Sequence, residues 1–203
     1  MTGPASITAA MLLSLACAAS AAAQDDAHPV KQQATARSAS ANKAKVGKMT
    51  PAEIMSSAMA AAPREIAKNA AILAPDSTGA MKELRAGTNG WTCMPDLPQT
   101  PGLDPMCLDE AGMQWVKSLM SKDPKPTNTA PGLVYMLQGG SDISATDPYQ
   151  TTTDHFIESP PHYMIMWPYD AAKTGLSTKP KKTGTWIMWA GTPYAHLMIN
   201  QKP

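Results

Sequence analysis

Three features of the sequence predict an α+β domain: N-terminal helices, then a mostly antiparallel sheet with one further helix, stapled by a single disulfide. Apolar residues recur at helical spacing after Thr50 and again after Asp109. Short strand-like runs bounded by Gly, Pro and Asn crowd the C-terminal half. The long strand–helix alternation of a doubly wound parallel sheet is absent.

The elements follow in order. Thr50-Pro51-Ala52-Glu53 is a capping box, with Pro51 suited to the first helical position. Ile54, Met55, Ala58, Met59 and Ala62 then share one helical face, Pro63 interrupts it, and Arg64 to Asn69 give a second short turn. Ala70 to Ala74 and Met81 to Ala86 read as strands around the turn residues Pro75 to Gly79. Asp96 to Pro105 is loop. Asp109 caps a helix running to Met120, with Met113, Val116, Leu119 and Met120 on its apolar face and Trp115 at the edge. Ser121 to Pro131 is loop again. Leu133 to Leu137 is apolar on both faces, as a central strand is. Gly139 to Pro161 is polar and long, which predicts a functional or mobile surface loop. His162 to Trp167, Thr185 to Trp189 and Tyr194 to Ile199 close the sheet, the last two joined as a hairpin at Gly191-Thr192-Pro193.

The first 48 residues are of a different kind. Ile7 to Ala23 is uncharged and alanine-rich and ends in Ala21-Ala22-Ala23, the small residues that signal peptidase requires, so residues 1–23 are expected to be a signal peptide. Cys17 within that run leaves a lipoprotein as the alternative. Residues 24–48 hold five bases, two acids and only Val30 and Val46 as larger apolar residues. Such a segment cannot bury enough surface to offset its ordering entropy and is expected to be a disordered basic tether. Residues 49–203 are then the single domain, exported to the periplasm or beyond, with no transmembrane helix after processing. From Met49 onward there are 12 bases and 14 acids, a balance with no basic field for nucleic acid. One Phe against fifteen Met and five Trp means that the core is filled largely by methionine.

Two cysteines remain outside the leader, Cys93 and Cys107. In an oxidising compartment an isolated pair forms a disulfide. The fifteen-residue loop it closes is worth about 3 kcal/mol in chain entropy.

The sharpest chemical pattern is a repeated His-x-Met. Alternate residues of a strand share a face, so His162 and Met164 project together, as do His196 and Met198. Imidazole and thioether suit copper. The ordinary alternative is that these residues are core. Enzymatic signals are weaker. Asp154, His155 and Glu158 lie close in sequence and form a possible acid/base set for a hydrolase, although solvated side chains are the default in a polar loop. Gly139-Gly140-Ser141-Asp142 is not a nucleophile elbow. Asp142, Asp147 and Asp154 do not follow the calcium-loop order, and no glycine loop cradles phosphate. Trp167, Trp186, Trp189 and Tyr194 suit an aromatic binding surface for sugar or peptide, or core packing equally.

The segments Gly87-Thr88-Asn89-Gly90-Trp91-Thr92-Cys93, Pro105-Met106-Cys107-Leu108-Asp109, Tyr135-Met136-Leu137-Gln138-Gly139-Gly140-Ser141-Asp142 and Gly191-Thr192-Pro193-Tyr194-Ala195-His196 resemble those of an uncharacterised group of exported bacterial proteins. The resemblance spans roughly Ala70 to Ile199, implies one exported domain and transfers no functional residue. The expectation is a non-catalytic binding or accessory module for a small molecule or an envelope component. It carries no resident cofactor on this reading. The alternatives are a copper-handling protein using His162, Met164, His196 and Met198, and a hydrolase using Asp154, His155 or Glu158.

Overall fold

The computed structural model describes residues 49–96 and 100–201. The expected signal peptide, Cys17 and the expected tether lie outside the described residues. Among those described, no helix is long and apolar enough to cross a membrane.

The domain is α+β. Helix α1 (Pro51–Met59) begins at the capping box: the Thr50 backbone N–H donates to Glu53 Oε2 at 2.8 Å and the Glu53 N–H to Thr50 Oγ1 at 3.3 Å. Pro63 restarts the chain as α2 (Arg64–Ala67). Strands β1 (Ala71–Pro75), β2 (Met81–Arg85), β3 (Thr92–Met94) and β4 (Met106–Leu108) follow, then α3 (Glu110–Met120) and β5 (Gly132–Met136). The chain continues through β6 (Gly140–Asp142), β7 (Ile157–Ser159), β8 (His162–Met166), the single turn α4 (Ala171–Thr174), β9 (Gly184–Met188) and β10 (His196–Asn200).

Eight strands form one sheet in the order β2-β1-β3-β4-β5-β8-β10-β9. Every pairing is antiparallel except β1 with β3. Cys93 and Cys107 are direct partners across β3 and β4 and are disulfide-bonded. Within the region expected to be a functional or mobile surface loop, Gly139 to Pro161, the two ends pair as a separate β6–β7 sheet, and 143–156 joins them without a strand or helix. Its polar side chains hid the pairing, because backbone hydrogen bonds rather than an apolar face hold it.

Helices cover both faces. α1 and α2 lie over β1, β3 and β4, burying Ala58, Ala61, Ala67, Ala70, Ile72, Cys93 and Cys107. Arg85 closes the C-terminal end of α2: Nη2 donates to the carbonyls of Ala67 at 2.6 Å and Ala70 at 2.7 Å. On the opposite face α3 lies over β4, β5 and β8. Asp109 fixes it there, accepting from Gly112 N at 2.7 Å as the cap and from Leu133 N at 3.0 Å on β5. The helix can approach this closely because Gly112 meets Gly132: a Cβ on Gly132 would lie 2.3 Å from Gly112 N. That approach rotates the helix from its expected orientation. Trp115, Gly112 and Ser118 face the sheet, Trp115 is central rather than at the edge, and Met120 is 78% exposed.

Candidate functional site

Register decides what the α3 face of the sheet presents. Met136 on β5 pairs with His162 on β8, which pairs with Asn200 on β10. Cys107 pairs with Tyr135, so Met106, one residue back on β4, falls beside Met136; Met106 itself pairs with Met94 on β3. A row Met94–Met106–Met136–His162–Asn200 therefore crosses five strands. The next row holds Leu108, Val134, Met164, Met198 and Trp186. A third holds Gly132, Met166, His196 and Met188, because Gly132 pairs with Met166 and His196 with Met188.

Between these rows and α3 lies a cavity of about 300 Å³. Its apolar wall is supplied by the methionines of the first and third rows with Met164, Val134, Leu119, Met120 and the rings of Trp115 and Trp189. Thr100, Asp104, Ser141, Asp142, His162 and His196 add its polar groups.

The imidazoles are both buried, His162 to 1% and His196 to 2% exposure. His162 Nδ1 lies 2.8 Å from the Pro160 carbonyl and His196 Nδ1 3.0 Å from the Tyr194 carbonyl. A carbonyl only accepts, so each neutral ring carries its proton on Nδ1 and leaves Nε2 as a lone-pair donor. Burial holds both rings below the usual imidazole range, His196 down to about 4, where the nearby His162 adds to the effect. His196 meets Trp115 and Trp189 edge-on at 5.3 and 5.0 Å, while the two indoles stack at 5.9 Å. Trp189 takes φ 53°, a left-handed conformation that is costly for a bulky residue. Its ring Nε1 donates to the Ser144 carbonyl and its backbone N to Ala145, both at 2.8 Å, which fixes the strained turn.

At the other end Asp104 Oδ1 accepts from Ser141 N at 2.5 Å. Burial pushes the Asp104 carboxyl up to about 7, with Asp142 and Asp96 adding to the rise and the Ser141 amide opposing it. Burial alone raises Asp142 to about 7. Gly140 admits this crowding: a Cβ there would lie 3.0 Å from Met136 Cε and 3.4 Å from both Asp104 Oδ1 and His162 Cε1.

Five lining residues keep a buried polar atom without a hydrogen-bond partner: Thr100 Oγ1, Asp104 Oδ2, Trp115 Nε1, Ser141 Oγ and His162 Nε2. Each such atom costs about 1–3 kcal/mol of desolvation.

The residues singled out from sequence fall in three places. His162, Met164 and His196 line the cavity; Met198, fully buried, packs in the core cluster beneath it and is not in the lining. His162 stands level with Asn200, four residues from His196, so the two imidazoles come from rows about 13 Å apart along the strands. Asp154 Oδ1 lies 3.2 Å from His155 Nδ1, but their side chains are 92% and 77% exposed, and Glu158 is exposed on β7. None of these three lines the cavity. Among the described residues no group of three or more His, Cys, Asp and Glu is gathered to hold a metal ion. Sequence reasoning missed Met94, Met106, Met136, Met188 and Asp104. The signal for the first two was present: residues next to a cross-strand disulfide must themselves pair on the opposite face.

Comparison with protein-family models, curated proteins and solved structures gives no match.

Proposed function

We propose that the protein is an exported, non-catalytic binding module whose ligand site is the methionine-lined cavity under α3. The observation that carries this reading is one apolar space whose lining residues hold five buried polar atoms without a partner. A cavity retained only by loose packing would be lined by residues without such groups, whereas these bring unmet hydrogen-bonding capacity to one place. Soft, unbranched methionines let the wall adapt to its guest. The apolar run ending at Ala23 and the Cys93–Cys107 bridge support export.

The test uses the full chain with 13C-labelled methionine methyls, titrated with indole, p-cresol and benzylamine. Each probe has an apolar body and one polar group. At least one is expected to shift the methyls of Met106, Met136, Met164 and Met188 while leaving the exposed Met81 unmoved. Val134→Phe, which fills the space, should cancel the shift. Cavity methyls unmoved by all three at millimolar concentration would overturn the reading. For export, the envelope fraction should yield a chain starting at Gln24 with Cys93 and Cys107 oxidised; an uncleaved cytoplasmic chain with both thiols free refutes it.

A further inference from the structure

We infer that the His162 end of the cavity is a Cu(I) site, with His162 Nε2 and the thioethers of Met106, Met136 and Met164 as its donors. The inference rests on the binding-module reading and names the ligand class. Pairing across the sheet places these four residues side by side on one face: Met136 opposite His162, Met106 beside Met136, and Met164 two residues along β8. All four line the same cavity. His162 is 1% exposed, and its Nε2 is a buried atom with no partner. Its other nitrogen is held by the Pro160 carbonyl, the outer contact that orients a metal-binding imidazole and fixes its tautomer.

The donor chemistry selects the ion. Thioethers are soft and uncharged; they favour Cu(I) over hard divalent cations, which need carboxylate or several imidazole ligands. A monovalent ion also carries the smaller desolvation cost into an apolar space. The structure thereby regroups the residues that the sequence suggested. His162 acts with Met136 and Met106 from neighbouring strands, not with His196 and Met198.

Cu(I) itself is the probe, supplied anaerobically to the full chain as its coloured bicinchoninate complex. The wild-type protein is expected to remove one equivalent from the chelator. His162→Ala and Met136→Leu should each weaken retention at least tenfold, while Met81→Leu, exposed on β2 and away from the cavity, should change it less than twofold. Met136→Leu conserves volume, so an unchanged circular dichroism spectrum and Tm would separate loss of a donor from loss of fold. Copper left entirely on the chelator, or retained equally by wild type, His162→Ala and Met136→Leu, overturns the site. If Cu(I) is refused while an organic probe still shifts the cavity methyls, the metal falls and the binding module stands; refusal of both removes both.

Discussion

Beneath α1 and α2 the sheet is covered by alanines, Ile72 and the Cys93–Cys107 bridge, and no residue of that cluster keeps an unpartnered buried polar side-chain atom. Beneath α3 the same sheet presents methionines, indoles and two imidazoles around open space, with five such atoms held by its lining residues. Small residues on the first face let helix and strand meet with nothing left over. Long flexible ones on the second leave room between helix and sheet. The contrast separates a close-packed face from one that holds a cavity, although both belong to one hydrogen-bonded sheet.

Breaking the contrast at its seam gives the largest effect. Gly132→Ala would drive a Cβ into the backbone of α3, and no side-chain rotation relieves it. A loss of about 3 kcal/mol or more is expected, read as a Tm lower by about 10 °C. A smaller effect sharpens the comparison between the two cores. Ile72→Ala, in the close-packed face, should cost about 2–5 kcal/mol in denaturant unfolding. Met188→Leu, at the cavity wall, should cost less than about 1.5 kcal/mol. A volume-conserving Met188→Leu that cost as much as the Ile72→Ala deletion would mean that the cavity wall is packed as tightly as the α1 face.

The smallest effect is electrostatic. Asp104 is raised from 3.8 to about 7 in the folded protein, so the native state binds the extra proton between those values. Its contribution to stability is therefore full below about pH 4 and is lost as pH rises through 7. His196, lowered from 6.5 to about 4, acts in the opposite sense, losing stability as pH falls from 6.5 towards 4. Between pH 6.5 and 8 the carboxyl effect, to which Asp142 adds in the same direction, outweighs what remains of the opposing effect of the two lowered imidazoles. Wild-type Tm should fall by about 1–3 °C across that interval. Asp104→Asn should flatten the fall; an unaltered slope would show that Asp104 is already ionised in the folded state.

Much of the fold was legible because it depends on local rules. The capping box at Thr50, the Asp109 cap, the central strand around Val134 and the hairpin at Gly191 each carry their signal in a few neighbouring residues. The disulfide followed from the cysteine count and the expected compartment. What was not legible depends on register. Met136 becomes the neighbour of His162 only through pairing of β5 with β8, which no local spacing encodes. The same holds for Asp104, which belongs to a proline-rich loop until Ser141 N meets its carboxylate. The short strands β4, β6 and β7 and the turn α4 were missed because three or four residues are too few to show a period.

The Asp109 tie and the Gly112–Gly132 contact also make the two ends of α3 unlike. They lock its first turn to β5, whereas its last turn is tied to the loop that follows, through Ser118 Oγ and Thr127 Oγ1 at 2.8 Å. Met120 is largely solvent-exposed yet contributes to the lining. The chamber's wall thus meets solvent at that turn, while the anchored end of the helix holds its shape.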